Sequence, residues 1–181
     1  RPILSLAAKA GDSGSTTVTI GGGTALGAYF LIAIADATNA VAETNNNNKK
    51  TQKLTVTLPD LSVSSLKSPS SAAAGSTIVV QDTTSNKAPV PAGASTTRFY
   101  LSADALFDGG DARLDPLVPG RAVPPLAAKA KSAASTTVTI PFATVPGTYF
   151  VLAVADADGV GVVAEINEAN NVRSRKITIT P

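Results

Sequence analysis

The stretch Gly147-Thr-Tyr-Phe-Val-Leu-Ala-Val-Ala-Asp156, with Ser135-Thr-Thr-Val-Thr-Ile140 before it, decides the fold. Seven consecutive apolar residues, Tyr149–Ala155, are typical of a short central strand that is buried on both faces. In the earlier stretch, valine and isoleucine alternate with threonine, which predicts a strand with one buried face. Because proline and glycine separate the two stretches, they favour two successive β-strands joined by a turn.

The same signals recur along the rest of the chain and predict an all-β fold. Short β-branched runs bounded by turn residues predict seven strands: 60–67, 76–83, 95–102, 112–117, 133–141, 147–156 and 172–180. Seven strands in about 120 residues favour an immunoglobulin- or fibronectin-III-like β-sandwich. Tyr149 occupies the position of a tyrosine corner, whose hydroxyl bonds to nearby backbone, and Tyr29 is its counterpart.

An internal repeat divides the chain. Residues 6–36 and 126–156 are identical at 18 of 31 positions, which include the Leu-Ala-Ala-Lys-Ala and Ser-Thr-Thr-Val-Thr-Ile motifs. Beyond these ranges, Glu43 aligns with Glu165, and Lys53-Leu-Thr-Val-Thr57 aligns with Lys176-Ile-Thr-Ile-Thr180. Residues 59–181 are therefore predicted to form one complete repeat. Residues 1–58 are predicted to form the back half of another, with strands at 15–20, 27–36 and 51–58.

A half repeat raises the question of what completes it. Three strands alone expose an apolar face and an unpaired edge, an arrangement that is unstable and prone to aggregation. One interpretation is that the missing half lies outside this sequence. Another is that neighbouring repeats or copies of the chain supply strands in trans, by strand complementation. A disordered or misfolded half repeat is the third alternative.

Several motifs make the unit resemble the CARDB family, the cell-adhesion-related domain found in bacteria and archaea. They are Pro59-Asp-Leu-Ser-Val63, Ala74-Gly75, Phe99-Tyr-Leu-Ser-Ala-Asp104, Asp108-Gly-Gly-Asp111, Gly147-Thr-Tyr-Phe150, Ala155-Asp156 and Glu165-Ile-Asn-Glu-Ala-Asn-Asn171. The resemblance covers residues 60–181 fully and its back half covers residues 1–58. It implies an immunoglobulin- or fibronectin-like sandwich, used in tandem on secreted or surface proteins in adhesive or spacer roles, without catalysis.

The composition argues against most kinds of chemistry. The chain has no Cys and no His, so Ser–His and Cys–His catalysis lack their usual partners, and so do zinc, copper and haem sites. We therefore predict that the protein is not an enzyme and has no cofactor, with calcium as the single candidate. The net charge of only +2 and the small number of aromatic residues argue against a nucleic-acid partner. No apolar run is long enough to predict a membrane span.

Two acidic loops are candidate calcium sites, because calcium prefers oxygen ligands. The first contains Asp104, Asp108 and Asp111, which two glycines could bring together. The second set flanks the turn between the last two predicted strands and consists of Asp156, Asp158, Glu165, Asn167 and Glu168. The alternative for both is turn chemistry, since Asp and Asn side chains readily bond their own backbone.

The sequence favours a structural or adhesive module of a longer secreted or surface protein. The alternative function is a ligand-binding or calcium-dependent accessory module of a secreted hydrolase. Because Arg1 is not Met, we expect that the natural chain begins elsewhere. Only Pro59-Asp60 separates the two predicted repeats, so we expect a stiff junction between them.

Overall fold

A computed structural model describes residues 1–3, 5–45, 47–114, 120–157 and 163–181. The chain divides into two compact units, Arg1–Val56 and Thr57–Pro181. The prediction of an all-β fold is confirmed, because the described residues form eleven strands and one 3-10 helix of three residues.

The first unit contains the antiparallel pair β1 (Gly27–Ile34) and β2 (Lys49–Val56). The prediction of a strand at 15–20 is wrong, since these residues are described and form no strand. The aligned residues 135–140 overlap a strand of the second unit that pairs with Thr77–Asn86. The sequence holds no second copy of that partner strand, so residues 15–20 lack the hydrogen-bonding groups that would hold them extended.

The described residues of the second unit form nine strands in two sheets. They are β3 (Leu61–Lys67), β4 (Ser71–Ala73), β5 (Thr77–Asn86), β6 (Ser95–Ser102), β7 (Ala112–Arg113), β8 (Arg121–Val123), β9 (Lys131–Thr139), β10 (Gly147–Val154) and β11 (Val172–Thr180). One sheet has the antiparallel order β3-β5-β9. The other has the order β4-β11-β10-β6-β7, and β8 also pairs with β6. Within this second sheet, β4 runs parallel to β11.

The core lies where both sheets contribute their apolar positions, which makes the unit sandwich-like. Its buried residues come from β3, β5 and β9 on one side and from β6, β10 and β11 on the other, and include Leu61, Val80, Val138, Phe99, Val151 and Ile177. Fully burying one such side chain contributes about 1.5–3 kcal/mol. The central position of β10 between β6 and β11 explains its uninterrupted apolar sequence.

Differences from the predicted strands lie at the sheet edges. The sequence did not predict β4 or β8, because each has three residues and no readable alternation. The strand predicted at 112–117 forms only as β7, residues 112–113; of its remaining residues, 115–117 lie outside the described residues.

Candidate functional site

The acidic turn, residues 163–171, holds the start of the second unit. Glu165 is buried, with 7% of its surface exposed. One of its carboxylate oxygens accepts a hydrogen bond from the backbone N–H of Leu61, the first residue of β3. The other accepts from Nδ2 of Asn171 at 3.2 Å. The carboxylate therefore joins two segments that are far apart in sequence.

The junction segment, residues 57–60, is held by further hydrogen bonds within the second unit. The carbonyl of Pro59 accepts from the N–H of Ile166 at 3.0 Å. The Asp60 carboxylate accepts from Nδ2 of Asn170 at 2.8 Å. On the other side, the Asp60 carbonyl accepts from the N–H of Lys87 at 2.6 Å. These contacts fix the backbone that leads into β3.

Asn86 is a buried positioning residue that sequence reasoning missed. Its Oδ1 accepts from the N–H groups of Asp60, at 3.3 Å, and Ala88, at 3.0 Å. Its Nδ2 donates to the carbonyls of Val90, at 2.7 Å, and Ala127, at 3.2 Å. The signal was indirect: Ala127 belongs to the repeated Leu-Ala-Ala-Lys-Ala motif, which forms the turn that Asn86 binds.

The acidic turn carries an unfavourable concentration of negative charge. Burial raises the pKa of Glu165 to about 7, and the charges of Glu168 and Asp156 add to the rise. Hydrogen bonds from Leu61 and Asn171 oppose it without cancelling it. Burial likewise raises the pKa of Asp156, with a further contribution from Glu168. The site is therefore one that a proton or a cation would relieve.

Asp156 and its repeat counterpart Asp36 build the same turn in both units. Each has a positive φ, 48° for Asp156 and 44° for Asp36. The Asp156 carboxylate accepts from the N–H of Val163 at 2.6 Å, and the Asp36 carboxylate accepts from the N–H of Val41, the aligned residue, at 2.9 Å. Aspartate suits this position because it tolerates left-handed backbone and bonds the backbone that follows.

The remaining predicted ligands of the second calcium set are Glu168, Asn167 and Asp158, and the two that the structure describes have different roles in the acidic turn. Glu168 accepts from the N–H of Glu165 at 3.1 Å, so the two carboxylates belong to one turn. Asn167 caps the 3-10 helix Glu168–Asn170 by accepting from the N–H of Ala169 at 3.1 Å. Asp158 lies outside the described residues.

The first predicted calcium loop consists of consecutive turns. Asp104 accepts from the N–H of Leu106 at 2.8 Å, and Asp108 accepts from the N–H of Gly110 at 2.7 Å. Asp111 accepts from the N–H of Asp108 at 3.0 Å, so two of the three side chains share one turn. No group of three or more acidic side chains among the described residues is arranged to hold a metal ion. Calcium binding at either loop stays a prediction.

A buried ion pair connects the two sheets of the second unit. Arg121 in β8 donates to the Asp82 carboxylate in β5 at 2.6 Å, and the side chains are 5% and 0% exposed. The same guanidinium nitrogen donates to Thr84 at 2.8 Å, and a second nitrogen donates to Ser132 at 3.1 Å. Burial raises the pKa of Asp82, and the neighbouring Arg121 opposes that rise. Breaking this pair would leave a buried charge without its partner.

The family model for CARDB matches residues 58–175. The chain belongs to the CARDB family. This is a family of non-catalytic, adhesion-related modules found in general on extracellular or surface proteins. The assignment agrees with the resemblance that the sequence motifs indicated.

Solved structures resemble the chain at low identity. The CARDB domain of a Pyrococcus furiosus protein, in complex with di-metal ions, is 20% identical, with a TM-score of 0.48, over 68% of this chain and 90% of that one. An alkylpurine DNA glycosylase from Pseudomonas fluorescens, bound to DNA containing an abasic site analog, is 16% identical, with a TM-score of 0.43, over 67% and 30% of the two chains. A mutant β-glucosidase from Listeria innocua, in complex with laminaribiose, is 15% identical, with a TM-score of 0.41, over 78% and 19%. No curated protein sequence matches the chain.

The motifs of this CARDB domain have structural roles that the geometry explains. The Pro59 carbonyl and the Asp60 carboxylate accept hydrogen bonds from the acidic turn. Gly75 has a φ of 75°, and a Cβ there would lie 2.9 Å from the ring of Phe142. Phe99 of β6 is fully buried in the core. The helical residues that the structure describes include no segment able to cross a membrane.

Proposed function

We propose that the chain is part of an extracellular structural or adhesive protein built from tandem CARDB repeats, on a cell surface or in a filament. Family membership supports the adhesion-related role, and the sequence repeat supports the tandem arrangement. Within such a protein each module passes tension from its first residues to its last. The parallel pairing of β4 with β11 is the observation that carries this proposal, because it suits a module that is pulled from both ends.

Besides the sequence identity, the backbone geometry of three aligned turns supports the repeat interpretation. Lys9 and Lys129 have φ values of 63° and 62°. In both units the next residue donates three positions back, from Ala10 to Ala7 at 3.0 Å and from Ala130 to Ala127 at 3.1 Å. The Asp36 and Asp156 turns match in the same way, as do the turns at Thr24 and Thr144. Two units with the same turns at aligned residues suit a tandem array.

The direction of the strands decides how the second unit would respond to tension. The N–H of Thr178 donates to Ser70 at 2.9 Å, and the N–H of Ala74 donates to Thr180 at 3.1 Å. Tension from the N-terminal end reaches β4 once β3, which precedes it and pairs with β5, has detached. Because β4 and β11 are parallel, further pulling draws these two strands in opposite directions along their axes. Their hydrogen bonds must then break together and not one after another. Such a pair resists force better than an antiparallel pair opened from its end.

Single-molecule pulling of the 181-residue chain through its two ends tests the proposal. We expect a discrete unfolding event for the second unit, at a force that Ala74→Pro lowers, because proline removes the N–H that donates to Thr180. Thr144→Pro is the matched control, since Thr144 donates to Pro141 in a loop outside the β4–β11 pair. If Ala74→Pro left the unfolding force unchanged, tension would not pass through this pair.

The second candidate function is a calcium-dependent or ligand-binding accessory module of a secreted hydrolase. The observation that favours a cation is that two carboxylates share one turn: Glu168 accepts from the N–H of Glu165 at 3.1 Å, and Nδ2 of Asn171 donates to both Glu165 and Glu168. Burial also raises the pKa of Glu165. A bound cation would stabilise the folded state by mass action. We expect calcium, and not magnesium, to raise the melting temperature of the wild-type chain, and Glu168→Gln to reduce that rise. Asp108→Ala tests the first loop in the same way, and an unchanged melting temperature in all three chains would leave both loops as ordinary turns.

A further inference from the structure

The sheet β3-β5-β9 of the second unit ends in a long edge strand, β9. Its register with β5 runs from Thr77↔Thr139 to Ser85↔Lys131 without a shift. Among the described residues, no strand pairs with the other side of β9. An edge of this kind presents a row of N–H and C=O groups to any strand that can lie beside it.

The other edges described in this unit have features that oppose pairing. The strands β4, β7 and β8 have only three, two and three residues. The edge strand β3 has a register shift between Val63 and Ser65. The part of β11 that β4 does not cover exposes Arg173, Arg175 and Lys176. Short strands, bulges and charged side chains all keep sheet edges from pairing with other chains.

The sequence of β9 has none of these features after its first residue. Lys131 is followed by Ser-Ala-Ala-Ser-Thr-Thr-Val-Thr139, which contains no charge and no proline. The side chains are small, and threonine and valine are enriched in strands. Among the edges that the structure describes in this unit, β9 is therefore the one suited to pairing with another strand.

The hydrogen bonds at the end of β9 show which of its groups face the open side. The N–H of Ile140 donates to Ser76, directly before β5, at 2.9 Å. The N–H of Thr139 donates instead to Leu114, outside β5, at 3.3 Å. Because alternate residues of an antiparallel strand bond to opposite sides, the odd-numbered residues in 131–137 direct their N–H and C=O groups away from β5.

The inward side of β9 is also incompletely covered. Val138 and Ile140 are 2% and 0% exposed, and both point into the core. Ser132, Ala134 and Thr136 lie on the same side of the strand and are only half-buried. A further strand beside β9 would cover these three side chains and continue the sheet.

A second copy of β9 fits this edge in one antiparallel register. Since Thr139 already has a partner, the free stretch is 131–137, which is centred on Ala134. A two-fold axis at Ala134 places Lys131 opposite Thr137 of the second copy, and Ala133 opposite Ser135. All four residues face the interface, so each pair exchanges both backbone hydrogen bonds. No lysine lies opposite another lysine, an arrangement that would be destabilising.

We propose that β9 is a lateral pairing edge, at which two copies of the chain join antiparallel about Ala134 into one continuous sheet. The contact is isologous, because the same strand serves both copies. Since the contact is one strand wide, we expect a weak dimer with a dissociation constant of about 0.1 mM. The inference goes beyond the proposed tether, since a chain could bear tension without pairing side by side.

Cysteine cross-linking tests the register, because the chain contains no Cys. Under mild oxidation Ala134→Cys should form a disulfide-linked dimer, since residues directly opposite have Cα atoms about 4.5–5.5 Å apart. Ala133→Cys alone should form at least about 10-fold less dimer, because its diagonal separation of about 7–8 Å is too long for a disulfide. A mixture of Ala133→Cys and Ser135→Cys chains should cross-link. Equal yields from the two single variants would mean random collision and would overturn the proposal.

Sedimentation equilibrium tests the association without cross-linking. Ala133→Lys combined with Ser135→Lys places lysines opposite each other across the axis, so we expect this variant to stay monomeric. Val79→Lys combined with Gln81→Lys is the matched control, since it adds the same charge at exposed residues of the central strand β5 and should leave dimerisation unchanged.

Two results of the sedimentation experiment would contradict the proposal. One is a wild-type chain that stays monomeric up to about 1 mM. The other is undiminished association of the variant with lysines in β9, which would place the contact on another surface. Neither measurement applies force, so each can fail while the pulling experiment succeeds, and the reverse.

Discussion

The strand pairs β1–β2 and β10–β11 have similar sequences and the same register, yet they differ in burial. Tyr29 lies opposite Leu54, and the aligned Tyr149 lies opposite Ile177. Every residue of the β10 segment Val151–Val154 is buried, whereas all of its counterparts in β1 are exposed. The comparison separates two properties: both pairs have the same hairpin register, and only β10–β11 has a buried face. In the second unit that burial comes from strands within residues 59–120.

The largest expected difference concerns the matched positions Val151 and Leu31. We expect Val151→Asp to destabilise the second unit by about 5 kcal/mol or more, because it places an unpaired charge in the core. Leu31→Asp should change the free energy of unfolding by less than about 0.5 kcal/mol, since an exposed side chain is altered. Urea denaturation of both variants measures the difference. Equal losses would mean that the first unit has a closed core of its own.

Substituting the arginines at the matched positions 121 and 1 should give a somewhat smaller difference in the free energy of unfolding. Arg121→Met removes one partner of the buried pair with Asp82, and we expect a loss of about 3–5 kcal/mol. Arg1 makes an ion pair with Asp12, and both side chains are about a third exposed, so Arg1→Met should cost less than about 1 kcal/mol. The double variant Arg121→Met with Asp82→Leu should recover part of the loss. No recovery would show that packing, and not the unpaired Asp82 charge, dominates.

The acidic residues at matched positions 165 and 43 should differ in their effect on pH dependence. The pKa of Glu165 is raised from its usual 4.5 to about 7, so between these values the folded chain retains a proton that the unfolded chain has lost. The free energy of unfolding should therefore fall as pH rises from about 4.5 to 7, by up to about 3 kcal/mol from this group. Burial also raises the pKa of Asp156, which contributes in the same direction.

Glu165→Gln tests this dependence because glutamine stays neutral. Between pH 5 and pH 8, we expect the variant to lose less stability than the wild type, measured by urea denaturation at each pH. Glu43→Gln is the matched control; Glu43 is exposed, and its substitution should leave the pH profile unchanged. Identical profiles for the wild type and Glu165→Gln would place the carboxylate in solvent.

The fold was predictable wherever a strand carries its own periodic signal. The long strands β3, β5, β6, β9, β10 and β11 follow from apolar alternation or continuous apolar runs. Residues 15–20 have an equally strong pattern and form no strand, because β-pairing needs a partner that the pattern of one segment does not contain. The three-residue strands β4 and β8 were not predicted, for the opposite reason. They depend on pairing with neighbouring strands and are too short to show apolar alternation.

The acidic turn shows why the site was only partly predictable. Sequence spacing grouped Glu165 and Glu168 beside the turn between the last two strands, and a hydrogen bond from the Glu165 N–H links them there. It could not indicate that Glu165 accepts from the backbone of Leu61, because that contact spans 104 positions along the chain. Asn86 and the Asp82–Arg121 pair were missed for the same reason. Only the alignment of Arg1 with Arg121 hinted that this arginine has a defined place in the repeat.

Amide hydrogen exchange of the unmodified 181-residue chain, followed by NMR, tests the central claim most directly. The claim is that β1 and β10 are equivalent strands with different surroundings. We expect the amides of Val151 and Ala153 to exchange only through global unfolding of the second unit, and those of Leu31 and Ala33 to exchange at least about 100-fold faster. Equal protection of the two strands in a monomeric chain would contradict the account.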